Sequence, residues 1–289
     1  CFDSVSGNRA PACPIPDGGA SGPSTLPDGG AAPSTALPFK PSNVALDGLD
    51  LSKVGDFTVN TSNCTLHTET KEASCGDGDA LAYATITQPD ASKIGVYVAR
   101  SIRVEPNARL RFKGTYGVAV VALDTFEVLG AIDAGAEGTY ASPGGHRAPP
   151  TDQSKGGGPG GGGAGSSTNG GGGGSFCGAG GAGAPIAGCI AAAGGATYGA
   201  PELVPLTGGS AGGTAALGGN SGTGGGAVQL VAGKSLRILA GASVSAGGGG
   251  GTFWGAAGSQ HGSGGGSGGA ILIEAPTVEI AGVVAANGG

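Results

Sequence analysis

Four stretches of the chain repeat one hydrophobic pattern. They are GVYVARSIRVEPNARLRFKG at 95–114, GVAVVALDTFEVLGAIDAG at 117–135, GAVQLVAGKSLRILAGASVSAGG at 226–248 and GAILIEAPTVEIAGVVAANGG at 269–289. Each holds an apolar run, a polar turn, a second pair of alternating apolar residues, a small turn and a third short strand. The equivalent pairs are Ile102/Val104, Phe126/Val128, Leu236/Ile238 and Val278/Ile280, and the third-strand anchors are Leu110, Ile132, Val244 and Val284. Period-two alternation rich in β-branched residues predicts strands that bury one face. Three short strands and three turns per unit predict one coil of a parallel β-solenoid, or β-helix, whose coils must stack to cover their apolar faces. The rival is an antiparallel sandwich. No Asn-Gly type hairpin turn separates the strands of a unit, which argues for the solenoid and an all-β class.

Two glycine-rich inserts, 136–225 and 247–268, interrupt the coils. Both leave after the third strand, so they are expected side by side at one corner. A structureless loop of the first insert's length is uncommon in a compact domain. From Gly156 to Pro201 no residue is charged, yet the stretch carries Phe176, Ile186, Ile190, Tyr198 and two cysteines. Polyglycine can adopt the polyproline II conformation, with three residues per turn and about 3.1 Å rise. Arrays of such strands can bond laterally because no Cβ holds them apart. At least part of 156–225 is expected to be ordered this way, with a disordered glycine loop as the alternative. The domain reading is a Pro/Gly/Ser-rich tether at 1–42, a β-rich cap at 43–94 and the solenoid with its inserts at 95–289. In the cap, Phe57–Val59 and Leu81–Thr87 alternate around a loop from Cys64 to Cys75, which reads as hairpin-like.

Composition narrows the classes. Gly is 67 of 289 residues and Pro 18, while charged residues are 12% and the net charge is −6. The mean hydropathy of +0.11 sits outside the range of a highly charged solvating tail. The balance excludes a basic nucleic-acid binder, and glycine at this density excludes a helical bundle. No apolar run reaches the roughly 18 residues that cross a membrane as a helix.

Six cysteines stand in three local pairs: Cys1 and Cys13, Cys64 and Cys75, Cys177 and Cys189. The expected disulfides are Cys64–Cys75 and Cys177–Cys189, each closing a short loop, in an oxidising compartment. The chain has no Met and opens on Cys1, so it reads as processed or excised. Two readings of Cys1 stay open: a disulfide with Cys13, or the acylated first residue of a lipoprotein followed by its tether. No C-x-x-C pair exists and His67, His146 and His261 are scattered, so neither metal nor cofactor is expected.

Several motifs look chemical. Gly-x-Ser-x-Gly occurs at 208–212 and 265–269, without the strand-to-helix context of a nucleophile elbow. AGKS at 232–235 lacks the earlier glycine of a phosphate loop, since that position is Val228. The acids Asp124, Glu127, Asp133, Glu274 and Glu279 are candidates for the paired carboxylates of a carbohydrate-active site; the simpler reading is solvated strand positions. Arg103, Arg109, Arg111 and Lys113 gather in the first coil. They read either as a solubilising face or as a contact for an anionic polysaccharide or lipid head group.

The Pro/Gly/Ser leader, SIRVEPNARLRF, VALDTFEVLGAIDAG, the glycine tracts and SGGAILIEAPTVEIAGVVAANGG together resemble the glycine-rich, PGRS-like secreted and surface proteins common in myxobacteria. The resemblance covers most of 44–289, is most specific in SGGAILIEAPTVEIAG, implies an exported location and carries over no catalytic residue. The expected function is a non-enzymatic extracellular structural or adhesive surface protein; the alternative is a glycan-binding or glycan-cleaving β-helix. Self-association into a homopolymer and a surface polysaccharide are the expected partners. The last coil presents Val278, Ile280 and Val284 with Glu279 as its one charge from Ala275 onward. That edge is expected either to pair with another molecule, end to end as a filament, or to mark the chain as a fragment.

Overall fold

The computed structural model describes residues 36–75, 78–137, 142–147, 150–185, 187–216, 219–252 and 261–289. Cys1, Cys13 and the two readings of Cys1 lie outside the described residues. The described chain is all-β, with a single 3-10 turn at Gly78–Ala80 and no α-helix. Its strands are β1 (Phe57–Val59), β2 (Cys64–His67), β3 (Ala82–Thr87), β4 (Lys93–Ala99), β5 (Ile102–Val104), β6 (Arg109–Lys113), β7 (Gly117–Ala122), β8 (Thr125–Val128), β9 (Ala131–Asp133), β10 (Ala227–Ala232), β11 (Ser235–Ile238), β12 (Ser243–Ser245), β13 (Ala270–Glu274), β14 (Thr277–Ile280) and β15 (Val283–Ala285).

The strands form three five-stranded sheets, ordered β1-β5-β8-β11-β14, β13-β10-β7-β4-β3 and β15-β12-β9-β6-β2. The chain visits the sheets in rotation, and apart from β3 the neighbours pair in parallel, which is compatible with a β-helix or solenoid. The pairing register is the one the repeats align on. Ile102 faces Phe126, Phe126 faces Leu236 and Leu236 faces Val278. In the third sheet Leu110, Ile132, Val244 and Val284 stack in the same way.

The cap differs from the hairpin-like reading. Phe57–Val59 does not pair with 82–87: β1 and β2 extend the stack by parallel pairing to β5 and β6, whereas β3 is antiparallel to β4. Gln88 and Ser92 close that β3–β4 hairpin, Gln88 N donating to Ser92 O at 2.8 Å. Cys64 and Cys75 form the expected disulfide, with Cα atoms 5.1 Å apart, and Cys64 is fully buried.

Alternation places Phe57, Val59, Ile102, Val104, Phe126, Val128, Leu236 and Ile238 in one interior. The sheet holding β4, β7 and β10 is buried on both faces, so its strands read as continuous apolar runs rather than alternating ones. Its outer face is covered by Val44 and Val54, with Leu37, Phe39, Leu46, Leu49 and Leu51 packed alongside, and by Leu203 and Leu206. The stretch read as a tether to residue 42 thus enters the core at Leu37 and Phe39. Ser42 fixes this strap to the far strand: its amide and Oγ donate to the Glu274 carboxylate, Oγ to Oε1 at 2.6 Å.

The glycine inserts bond with a period of three. Gly171 N donates to Gly262 O, Gly172 N to Gly163 O, Gly173 N to Gly181 O, Gly174 N to Gly265 O and Ser175 N to Gly160 O. Three neighbours are met in rotation, and residues three apart return to the same neighbour. Gly264 and Ser267 likewise bond to Gly213 and Ser210, while Gly266 and Gly269 bond to Gly249 and Ala246. Glycine is required by closeness: a Cβ at Gly213 would run into the Gly163 carbonyl oxygen, and one at Gly264 into that of Gly172. The inserts leave at one corner, where Ala134 N bonds to Ser245 O and Ala246 N to Ala285 O.

The array corrects the second disulfide. Cys177 is disulfide-bonded, but Cys189 is free and exposed. The arm from Cys177 doubles back so that Cys177 N bonds to Tyr198 O, Gly180 N to Gly195 O and Gly183 N to Ala192 O. Cys189 lies in the turn beyond, so the two sulfurs sit toward opposite ends of the arm. At about 3.1 Å per residue that is well over 20 Å, against the roughly 4.4–6.8 Å between Cα atoms that a disulfide spans.

Gly213→Ala is expected to destabilise the array by about 3 kcal/mol, the scale of a forced overpacking. Hydrogen exchange should show slow amides at 171–175 and 264–269 in the unaltered protein and selective loss of that protection in the variant. Exchange within seconds in the unaltered protein would contradict the bonded array.

Candidate functional site

The outward positions of the stacked strands carry the charge. In the β5–β8–β11–β14 sheet the register places Arg103 beside Glu127, Glu127 beside Arg237 and Arg237 beside Glu279. Arg103 pairs with Glu127 and, through Nε, with Glu105 at 2.8 Å. Arg237 reaches Glu127 at 3.4 Å and Glu279 at 2.8 Å. The signs alternate along the stack. At the neighbouring corner Lys234 pairs with Asp124 at 2.7 Å. In the third sheet Asp133 sits 3.8 Å from Arg109 and 3.9 Å from Arg111, and Arg111 also binds Glu137 at 2.6 Å. The guanidiniums singled out as a polyanion contact are therefore engaged with carboxylates of their own and neighbouring strands. Lys113 has no ion pair among the described residues.

Of the candidate carboxylates only Glu127 and Glu279 approach a common group, the Arg237 guanidinium between them. Asp124, Glu127 and Asp133 belong to three different faces, each with its own cation, and Glu274 accepts hydrogen bonds from Ser42 and from Gln229 Nε2. Gln229 is itself fully buried under the strap.

A cleft of about 650 Å³ opens beside β2 and β6, and it gathers three groups that the sequence alone does not connect. His67 comes from β2, Lys113 from β6 and Arg147 from the first insert; Phe112 and Thr65 complete the wall. Like Lys113, Arg147 has no ion pair among the described residues. Glu69, at the rim, accepts from Thr115 Oγ1 at 2.6 Å and Thr115 N at 2.8 Å, and these bonds hold its carboxyl below the usual range. His67 Nδ1 is 3.7 Å from Glu72. Glu69, Asp133, Glu137 and Arg111 line the same cleft, so its charge is mixed; with Phe112 and the hydroxyls it suits a polar ligand such as a sugar.

The serine motifs are structural. Ser210 is fully buried; its Oγ accepts from Gly160 N at 3.0 Å and donates to Tyr198 Oη at 2.9 Å. Ser267 Oγ accepts from Ser210 N at 2.9 Å. Both hydroxyls stand in for carbonyl acceptors in the array. Burial pushes the Tyr198 phenol up to about 12. The AGKS turn is closed too, Gly233 N bonding to Ala122 O and Lys234 N to Asp124 O. His146 lies between the array and the strands, its amide bonded to Gly209 O and its carbonyl accepting from Gly224 N. Burial pushes its imidazole below the ordinary histidine range.

Among the described residues no group of three or more His, Cys, Asp or Glu could hold a metal ion. No helix of the described residues is long and apolar enough to cross a membrane. No protein family, no curated protein and no solved structure matches the chain.

Two outcomes are expected. Glu127→Ala leaves Arg103 and Arg237 facing each other across one vacancy; exposed pairs contribute little each, so a small loss of stability is expected in denaturant titration, shrinking in high salt. For His146, the unfolded chain takes up the proton at higher pH than the folded one. The stability tied to neutral His146 is therefore intact above about pH 6.5 and is lost as pH falls through that value toward the folded pKa. Melting scans between pH 7.5 and 5 should show this decline, and His146→Gln should flatten it.

Proposed function

We propose that this chain is a parallel β-solenoid with a polyglycine II array docked at one corner, acting as a non-enzymatic structural or adhesive protein of the cell exterior. The observation that carries the reading is the array itself. Its amides bond sideways to neighbouring passes of backbone, and from Gly156 to Pro201 it has no charged residue. Such a slab is stiff, chemically inert and thin in side chains, which suits a building block or spacer better than a catalyst. The Cys64–Cys75 disulfide supports an oxidising compartment, as does the resemblance to exported PGRS-like proteins. Surface polysaccharide and further copies of the chain are the proposed partners.

A glycan-binding or glycan-cleaving role is the second reading, and the cleft between His67, Lys113 and Arg147 favours it. Incubation with a panel of uronate and sulfated polysaccharides separates the two. The structural reading expects no new reducing ends or unsaturated products. Product formation abolished by Lys113→Ala with Arg147→Ala would overturn it in favour of the second.

A further inference from the structure

The inward positions of the second strand are closed in three coils and open in the fourth. Ile102 and Val104, Phe126 and Val128, Leu236 and Ile238 are all at most 1% exposed, whereas Val278 is 43% and Ile280 52% exposed. These residues occupy core positions by register, Val278 beside Leu236 and Ile280 beside Ile238. Their other side faces no strand among the described residues. Between them stands Glu279, bonded to Arg237 on one side. Its other side has no ion pair among the described residues.

We propose that the edge formed by β13, β14 and β15 accepts a further parallel β-layer that presents an arginine or lysine between two apolar residues. The alternation Arg103, Glu127, Arg237, Glu279 fixes the sign of the next member. The exposed Val278 and Ile280 fix its neighbours. Opposite charges directly across a strand pair stabilise it, and like charges oppose it. The chain's own units supply the type: Ile102-Arg103-Val104 and Leu236-Arg237-Ile238.

A second copy does not meet these terms through the surfaces described. A two-fold pairing of β14 centred on Glu279 sets that carboxylate against its own copy. The opposite end of the stack is closed: Phe57 and Val59 are buried, Thr58 holds the position equivalent to Arg103, and β3 ends its sheet antiparallel. The partner is therefore a repeat unit of the arginine-centred kind. This inference rests on the stacked-coil reading; its failure would leave the surface-protein proposal standing.

A fluorescent peptide with the sequence of residues 226–248 tests it, used where the peptide alone sediments as a monomer. Anisotropy titration with the unaltered protein should give saturable binding. The peptide carrying R237E should bind roughly threefold to tenfold more weakly, and the E279R protein should recover it while losing the original peptide. Glu279→Gln protein, which keeps the side chain's shape, should bind the two peptides alike. Absence of binding, equal binding of both peptides to the unaltered protein, or a protein dimer that excludes the peptide would each overturn the proposal.

Discussion

Sideways backbone hydrogen bonding between successive passes of the chain is the constraint on which the rest depends. A buried amide left unpaired costs about 1–3 kcal/mol, and this chain meets the demand with two lattices. In the coils, strands pair within three sheets and the side chains alternate between interior and surface. In the inserts the inner pass at 171–175 meets three neighbours in rotation. The second lattice is possible because there is no Cβ between backbones; at Gly162 one would strike the Gly172 carbonyl. Where the rotation finds no carbonyl, a hydroxyl serves, as Thr214 Oγ1 does for Ser154 N at 2.8 Å.

The outward charges do a different task. Exposed ion pairs add little to stability individually, but they discriminate between registers. Slipping a strand by one residue sends its apolar set to the surface. Skipping a coil would set Glu127 against Glu279 or Arg103 against Arg237. The charge ladder on the β5–β8–β11–β14 sheet therefore adds a signal for the order of otherwise similar units to that of the apolar interior.

The parallel-paired strand units were legible because each carries its own period. Ile102, Phe126, Leu236 and Val278 stack in the order their alignment predicts. The strap was not legible, because Pro, Gly and Ser around Leu37, Phe39 and Val44 masked an apolar series that extends to Leu51. The signal that could have revealed it lies elsewhere, in the unbroken apolar run of β7 and the near-continuous one of β10, which demand cover on both faces. The Cys177 pairing was hidden for another reason. Sequence spacing sees a short loop to Cys189, whereas the array stretches the intervening residues along an arm. The cleft escaped because His67, Lys113 and Arg147 come from three distant segments that meet through stacking.

A glycine array cannot organise itself by burying side chains, and glycine loses more conformational freedom on ordering than any other residue. It needs a template, and the contacts at its margins supply one. Gln88 in the β3–β4 turn donates to Leu206 O at 3.0 Å and accepts from Leu206 N at 2.7 Å. Asn43 of the strap donates to Leu203 O at 3.0 Å. Leu203 and Leu206 then pack on the doubly buried sheet beside Val44. The end of the first insert is thus held by the strap, the hairpin turn and the sheet at one place. Phe176 and Tyr198, with ring centroids 5.2 Å apart, clamp the base of the arm. Leu203, Leu206, Phe176 and Tyr198 are therefore anchors of the glycine tract: they fasten a lattice made of backbone to a core made of side chains, and the lattice's order follows from that attachment.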